Sequence, residues 1–389
     1  MGRNRTRARR TALAAVASVA LALAACSTDS SNSSSSSGGS ADVSAAVKDN
    51  LTKYMAQPTF TAPGPAIDIS GVKGKSMFLI PLVPNPFNQS IQETMQRIAT
   101  QAGMKFTIYP NQGQASQWVQ GMNAALTAKP DIIVLSTAPD PRVLQPQLKA
   151  AKAAGIPVLV THFYDDSSPE PPDCEGCAAG VTALVTAPFN VAGKAAADWI
   201  IKDSGGKANT LVIGAGDILP SPATVQVVKQ EFADQCSGCK VTEINIPVAD
   251  WNTKVQGQVQ AALTKDPSIT YVYPLYDAMV SGAVPAVQTV GKKGKVKVVS
   301  YNGSPYVLKY IQDDNIAAMD VGEDTVGIGY ASMDQAFRIL LKHPTVPQRT
   351  PIRIWDASNV DETGTPPTVG KGYGNALPEG FSKLWGISQ

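Results

Sequence analysis

At several separated places along this 389-residue chain, an aromatic residue stands beside amides or carboxylates. Asn85-Pro86-Phe87-Asn88 is one such place, Asp250-Trp251-Asn252 a second and Tyr276-Asp277 a third. His162-Phe163, Asn302-Gly303 and Gly322-Glu323-Asp324 supply further polar groups. A flat ring can stack on the C–H face of a sugar, while Asn, Asp and Glu side chains bond hydroxyls in pairs. Taken one at a time these residues are bland, since a lone Trp is usually core and a lone Asp at a helix start usually caps it. Brought together, they would suit a polyhydroxylated ligand.

Whether they come together depends on the elements that carry them. Apolar strand-like runs at 77–83, 105–109, 132–135 and 157–161 alternate with helical patterns at 89–102, 115–128 and 143–154. In the second helical pattern Trp118, Met122, Ala125 and Leu126 fall at i, i+4, i+7 and i+8, the stripe of an amphipathic helix. Gly155 stops the third helix and Pro157 opens the next strand. A proline-rich, acidic stretch at 163–178 reads as a loop. Alternation then resumes, with helices at 191–202, 223–234, 253–265, 278–290 and 325–341. The strands among them fall at 210–213, 241–246, 270–273, 295–301 and 316–321, with one more strand-like piece at 351–355 and a polar, glycine-rich tail. Repeated strand–helix–strand units imply parallel strands covered by helices on both faces. Two such blocks make two doubly wound α/β sheets, whose ligands bind beyond the carboxyl ends of the strands. The aromatic and polar residues named above lie at or just beyond strand ends, and Asn88 also suits the N-cap of the first helix.

The amino terminus carries an address. Arg3, Arg5, Arg7, Arg9 and Arg10 precede an apolar run at 12–25, followed by a serine-rich tract at 27–40. A basic start, a short apolar stretch and small residues before a cut describe a secretory signal over residues 1–25. The run of about fifteen residues is short of the ~20 needed to span a bilayer as a helix. Leu23-Ala24-Ala25-Cys26 resembles the bacterial lipobox, which implies cleavage before Cys26, a lipid on its sulfur and residence on the outer face of the cell membrane. Residues 26–74 then form a lipidated tether and an irregular arm, with a helical patch near 43–54. Losing five arginines and no acids takes the formal charge from +2 to −3, which argues against a nucleic-acid binder. Cys174/Cys177 and Cys236/Cys239 are two C-x-x-C pairs nearly sixty residues apart. Outside the cell local disulfides are the preferred reading, with cross-pairing or a four-thiolate zinc site as alternatives.

Over residues 75–345 the order of several short motifs resembles the ribose/galactose-type periplasmic sugar-binding proteins that serve ABC transporters. The motifs are Asn85-Pro86-Phe87, Ala153-Ala-Gly-Ile-Pro-Val158, Gly193-Lys194, Ala249-Asp250-Trp251, Tyr276-Asp277-Ala-Met279 and Tyr301-Asn302-Gly303. The resemblance implies a type I periplasmic binding protein fold: two lobes, joined by a three-segment hinge, closing around one sugar. It implies a first lobe of 75–185 plus 322–345 and a second of 186–321 plus 346–389. Asn85 and Phe87 match ligand contacts of the first lobe, Trp251 an aromatic ring that stacks on the sugar, and Asp277 and Asn302 hydroxyl-binding positions. His162-Phe163 replaces the usual Asp-Arg pair, and Gln226 is the nearest polar substitute for an expected arginine. Arginine offers bidentate, charge-assisted bonds that His and Gln do not reproduce. The resemblance also implies a permease as partner, no cofactor, no metal and a monomer.

An enzyme is the rival class. The two histidines, His162 and His343, have no G-x-S-x-G elbow to pair with. Gly214-Ala215-Gly216 lacks the third glycine of a dinucleotide fingerprint, with Leu219 at that place. The sequence reads as a binder; a sensor subunit signalling through a membrane partner would use the same closing lobes.

Overall fold

A computed structural model describes residues 43–137, 139–167 and 180–387. The signal segment, Cys26, the serine-rich tract, Cys174 and Cys177 lie outside the described residues. The first sheet is built from β1 (Ser76–Pro81), β2 (Lys105–Ile108), β3 (Ile132–Ser136), β4 (Val158–Asp165) and β5 (Ala183–Ala187), all parallel, in the order β2-β1-β3-β4-β5. Period-two alternation gives this sheet two buried faces. Met77, Leu79, Ile132 and Val134 point to one core, whereas Phe78, Ile80, Ile133 and Leu135 point to the other. Helix α2 (Pro86–Gln101) covers the first face, and α3 (Ala115–Ala128) and α4 (Gln145–Ala153) the second.

The second sheet repeats the winding. It contains β6 (Asn209–Gly214), β7 (Lys240–Asn245), β8 (Tyr271–Pro274), β9 (Lys297–Asn302), β10 (Ala317–Glu323) and β11 (Ile352–Asp356), in the order β11-β10-β9-β8-β6-β7. Among its pairs only β10–β11 is antiparallel. Between and around these strands run α5 (Phe189–Asp203), α6 (Ser221–Gln235), α7 (Trp251–Lys265), α8 (Val280–Thr289), α9 (Pro305–Gln312), α10 (Thr325–Leu340) and, after β11, α11 (Ala376–Leu384). Each sheet reverses its winding once, between β1 and β3 and between β6 and β8. Those switch points are where a ligand crevice opens.

Three passages join the lobes: β5 to α5, β10 to α10, and α10 to β11. The two ends of the chain add two more. The arm is not wholly irregular: Ser44 caps a helix at Ala45–Met55 by accepting from the Val47 amide at 3.2 Å. Val47 and Leu51 of that helix sink into the second-lobe core, whereas Ile67, Ile69 and Val72 enter the first-lobe core. The carboxyl-terminal segment makes the same crossing, from β11 of the second sheet to the first lobe. Residues 376–385 belong to the first lobe, not the second as expected, because Phe381 and Trp385 stack on Tyr330 of α10 at 6.0 and 5.5 Å. The elements that sequence reading missed are β5, α9 and α11. Proline and acid neighbours disguised the first, and the other two are only eight and nine residues long. In the turn after α6 the sulfurs of Cys236 and Cys239 are 2.05 Å apart.

Candidate functional site

The carboxyl ends of the strands carry backbone in unusual conformations. Thr137 after β3, His162 within β4 and Asn302 at the end of β9 have φ of 52°, 54° and 141°. Left-handed backbone at a non-glycine residue costs on the order of 1–3 kcal/mol and collects where function needs it. At His162 the β4–β5 register shifts between Thr161 and Asp165, so a bulge re-aims the imidazole. At Asn302 the following Gly303 has φ 76° and sits so close to Gly322 that a Cβ would lie 2.8 Å from its Cα. That contact lets β9 and β10 end side by side, and it sets Asn302 next to Glu323.

These devices bring the two lobes into contact. His162 Nε2 and Glu323 Oε2 are 2.7 Å apart, and Asn302 Nδ2 donates to the same carboxylate oxygen at 3.5 Å. The His162 ring lies 5.3 Å from Phe87 and 5.1 Å from Phe189, which in turn lies 6.1 Å from Tyr301. Asn302 Oδ1 accepts from the Asp277 amide at 3.4 Å, linking this group to the next. There Trp251 stacks on Tyr276 at 5.7 Å, its indole N–H fixed on the Ile246 carbonyl at 2.9 Å. Burial pushes the Tyr276 phenol well above its ordinary value.

Not every strand-end residue faces outward. The Asp277 carboxylate, expected to bond a ligand hydroxyl, is buried and accepts from Ser300 Oγ and the Ser304 amide, both at 2.7 Å. Burial pushes its pKa up to about 6, and burial plus the charge of Asp277 raises its buried neighbour Asp320. This pair fixes the β8 and β9 ends from behind. Asn85, not Asn88, is the N-cap of α2: its side chain accepts from the Asn88 amide at 2.8 Å. Asn88 Nδ2 is turned inward onto the Val83 carbonyl at 2.7 Å. Phe163 packs edge-on against Tyr164 within the first-lobe core. Gln226 is exposed on α6 and takes no part in the bonds that tie the others together. Asp324 caps α10, accepting from Val326 N at 3.1 Å.

Two members of the cluster escaped sequence reading. Phe189 follows β5, and because that strand was missed its end was not inspected. Tyr301 is the last residue of the expected strand at 295–301, so only Asn302 and Gly303 beyond it count as candidates, yet the fold sets the phenol beside Glu323. A strand-end rule applied to β5 would have found the first.

Two doubly wound lobes, with polar and aromatic side chains meeting between their strand ends, define a bilobal solute-binding architecture. A sequence model of the periplasmic binding protein domain matches residues 76–344, and the chain belongs to that family. The fructose import binding protein FruE of Bifidobacterium longum is 30% identical over 240 residues, covering 59% of this chain and 69% of that protein. The ribose import binding protein RbsB of Escherichia coli is 24% identical over 258 residues, covering 66% and 81%. Among solved structures, a solute-binding protein of Actinobacillus succinogenes with bound D-allose superposes with a TM-score of 0.66 at 19% identity, covering 74% of this chain and 99% of that one.

Proposed function

We propose that the chain is an extracytoplasmic solute-binding protein that captures a sugar or sugar-like molecule between two closing lobes and delivers it to an ABC transporter permease. The observation that carries this reading is the 2.7 Å contact between His162 of the first sheet and Glu323 of the second, ringed by aromatic side chains. The names of the relatives, fructose and ribose import binding proteins, support the ligand class. Open and closed forms interconvert, and a ligand touching both lobes favours the closed one through its differential contacts. Within this reading Phe87, Trp251 and Tyr276 supply stacking faces, and Asn85, His162, Asn302 and Glu323 supply polar contacts. The chain acts as a monomer and binds without transforming its ligand. A lipid on Cys26 holds it at the membrane, and the two C-x-x-C pairs are local disulfides of an oxidising compartment.

A thermal-shift panel of sugars, polyols and nucleosides tests the ligand class, because a molecule that binds only the folded state raises the unfolding midpoint. A panel in which nucleosides alone stabilise the protein would refute it. Mass spectrometry of the mature protein from membranes should find residue 26 at its amino terminus, diacylated.

A further inference from the structure

One side of the cleft is chemically unbalanced. Glu323 is 2% exposed, and while Oε2 takes the imidazole and amide, Oε1 has no hydrogen-bond partner. The Tyr301 hydroxyl, 3% exposed, lies within interaction range of the same carboxyl, which raises the phenol beyond what burial does, yet neither it nor Oε1 completes a bond of regular hydrogen-bond geometry. The surroundings add negative charge, not positive. Asp166 is raised first by burial and further by the charges of Asp165 and, least, Glu323, with the Thr186 hydroxyl and Arg349 partly offsetting it, and the Asp277–Asp320 pair lies behind Asn302. Among the described residues His162 is the one basic side chain bonded to this carboxylate. A buried charge lacking full compensation is costly, and one unmade hydrogen bond adds to that cost. Around it stand Phe87, Phe189 and Tyr301, rings whose faces attract cations through their quadrupoles.

Building on the sugar-binding reading above, we propose that the preferred ligand carries a cationic nitrogen, as in an amino sugar or an aminated polyol, and that Glu323 is the residue that selects it. A neutral hydroxyl could fill the vacant bond to Oε1, but it would add no charge to the single one that His162 can supply. An ammonium group supplies the donor, the charge and a partner for the rings. A sugar acid would set a second carboxylate against the first and be rejected.

Calorimetric titration of the full chain with matched pairs tests this: D-glucosamine against D-glucose, D-galactosamine against D-galactose, and D-mannosamine against D-mannose. At least one amine should bind about tenfold or more tightly than its neutral parent, the size expected of a desolvated cation–aromatic and charge contact. Glu323→Gln, shown to be folded by its thermal midpoint, should bring that ratio close to one. Phe189→Leu, which keeps the carboxylate, should narrow it in part. Neutral parents binding as tightly as their amines, or a preference that survives Glu323→Gln, would overturn the inference and leave sugar binding standing. Should no sugar of either kind bind, both readings fall together.

Discussion

Two buried polar clusters in this protein are built from similar parts and end in opposite states. Beside the hinge, Asp334 and Arg338 form an ion pair one turn apart on α10, with Nε to Oδ2 at 2.8 Å. Gln348 Nε2 donates to Asp334 Oδ2 at 2.5 Å, Trp385 Nε1 to Oδ1 at 2.8 Å, and Arg338 itself reaches the Pro65 carbonyl at 2.9 Å. Both carboxylate oxygens are used, and the partners come from the amino-terminal arm, the third hinge passage and the carboxyl-terminal helix. In the cleft, Glu323 is as deeply buried and leaves one oxygen empty. A satisfied network fixes one arrangement of the chain; an unsatisfied one keeps a place for something that is not the chain. The first cluster ties part of the amino-terminal arm and the carboxyl-terminal helix to the first lobe, and the second is where the proposed ligand would complete the bonding.

Breaking the hinge cluster should have the largest effect. Arg338→Ala leaves the Asp334 charge buried and short of its main partner, at a cost of roughly 3–5 kcal/mol. Chemical denaturation should show that loss, and a change below about 1 kcal/mol would show that the cluster is no scaffold. On the cleft side, Trp251→Ala should weaken ligand binding about tenfold or more in calorimetry while moving the thermal midpoint little, since the ring is only half-buried and its loss falls on the ligand. Full affinity in that variant would remove the second lobe's stacking face from the site.

A third, smaller effect separates charge from shape. Asp277 and Asp324 are pushed up to about 6, and Asp198 up to about 7, by burial in each case. Raised acids keep their protons in the folded state over a range where the unfolded chain has already lost them. Stability from this source is therefore full below about pH 4 and is lost as pH climbs through 6 to 7. Denaturation midpoints should fall between pH 5 and pH 8, and Asp277→Asn should flatten that slope; an unchanged slope would mean Asp277 does not titrate as described. The smallest effect belongs to Gln226→Ala. Exposed and outside the bonded cluster, it should change stability by less than about 0.5 kcal/mol and ligand affinity less than twofold. A large loss of affinity would extend the site onto α6.

Much of this was legible in the residues. The stripe through Trp118, Met122 and Leu126 marks α3, and the run Ile132–Leu135 marks a strand buried on both sides. The strand-end rule led to Phe87, His162, Trp251, Tyr276, Asn302 and Glu323, which the fold gathers into one linked group. It could not tell that Asp277 turns inward to Ser300 and Ser304, because a carboxylate beside a strand end looks the same whether it faces ligand or core. Nor could it see that Asn88 serves the Val83 carbonyl while Asn85 takes the cap.

The sequence by itself determined the alternation of strands and helices, hence two doubly wound lobes, and it placed the polar and aromatic residues where those strands stop. These are local matters, decided by side-chain periods of two and 3.6 residues. Tertiary structure alone decided that His162 meets Glu323, 161 residues away, and that Phe189 and Tyr301 close around them. It also decided that the arm after Met55 and the segment after β11 both cross to the first lobe, and that the Oε1 atom of buried Glu323 is left without a partner. Such facts depend on which surfaces pack across the lobes, and no local period carries that information.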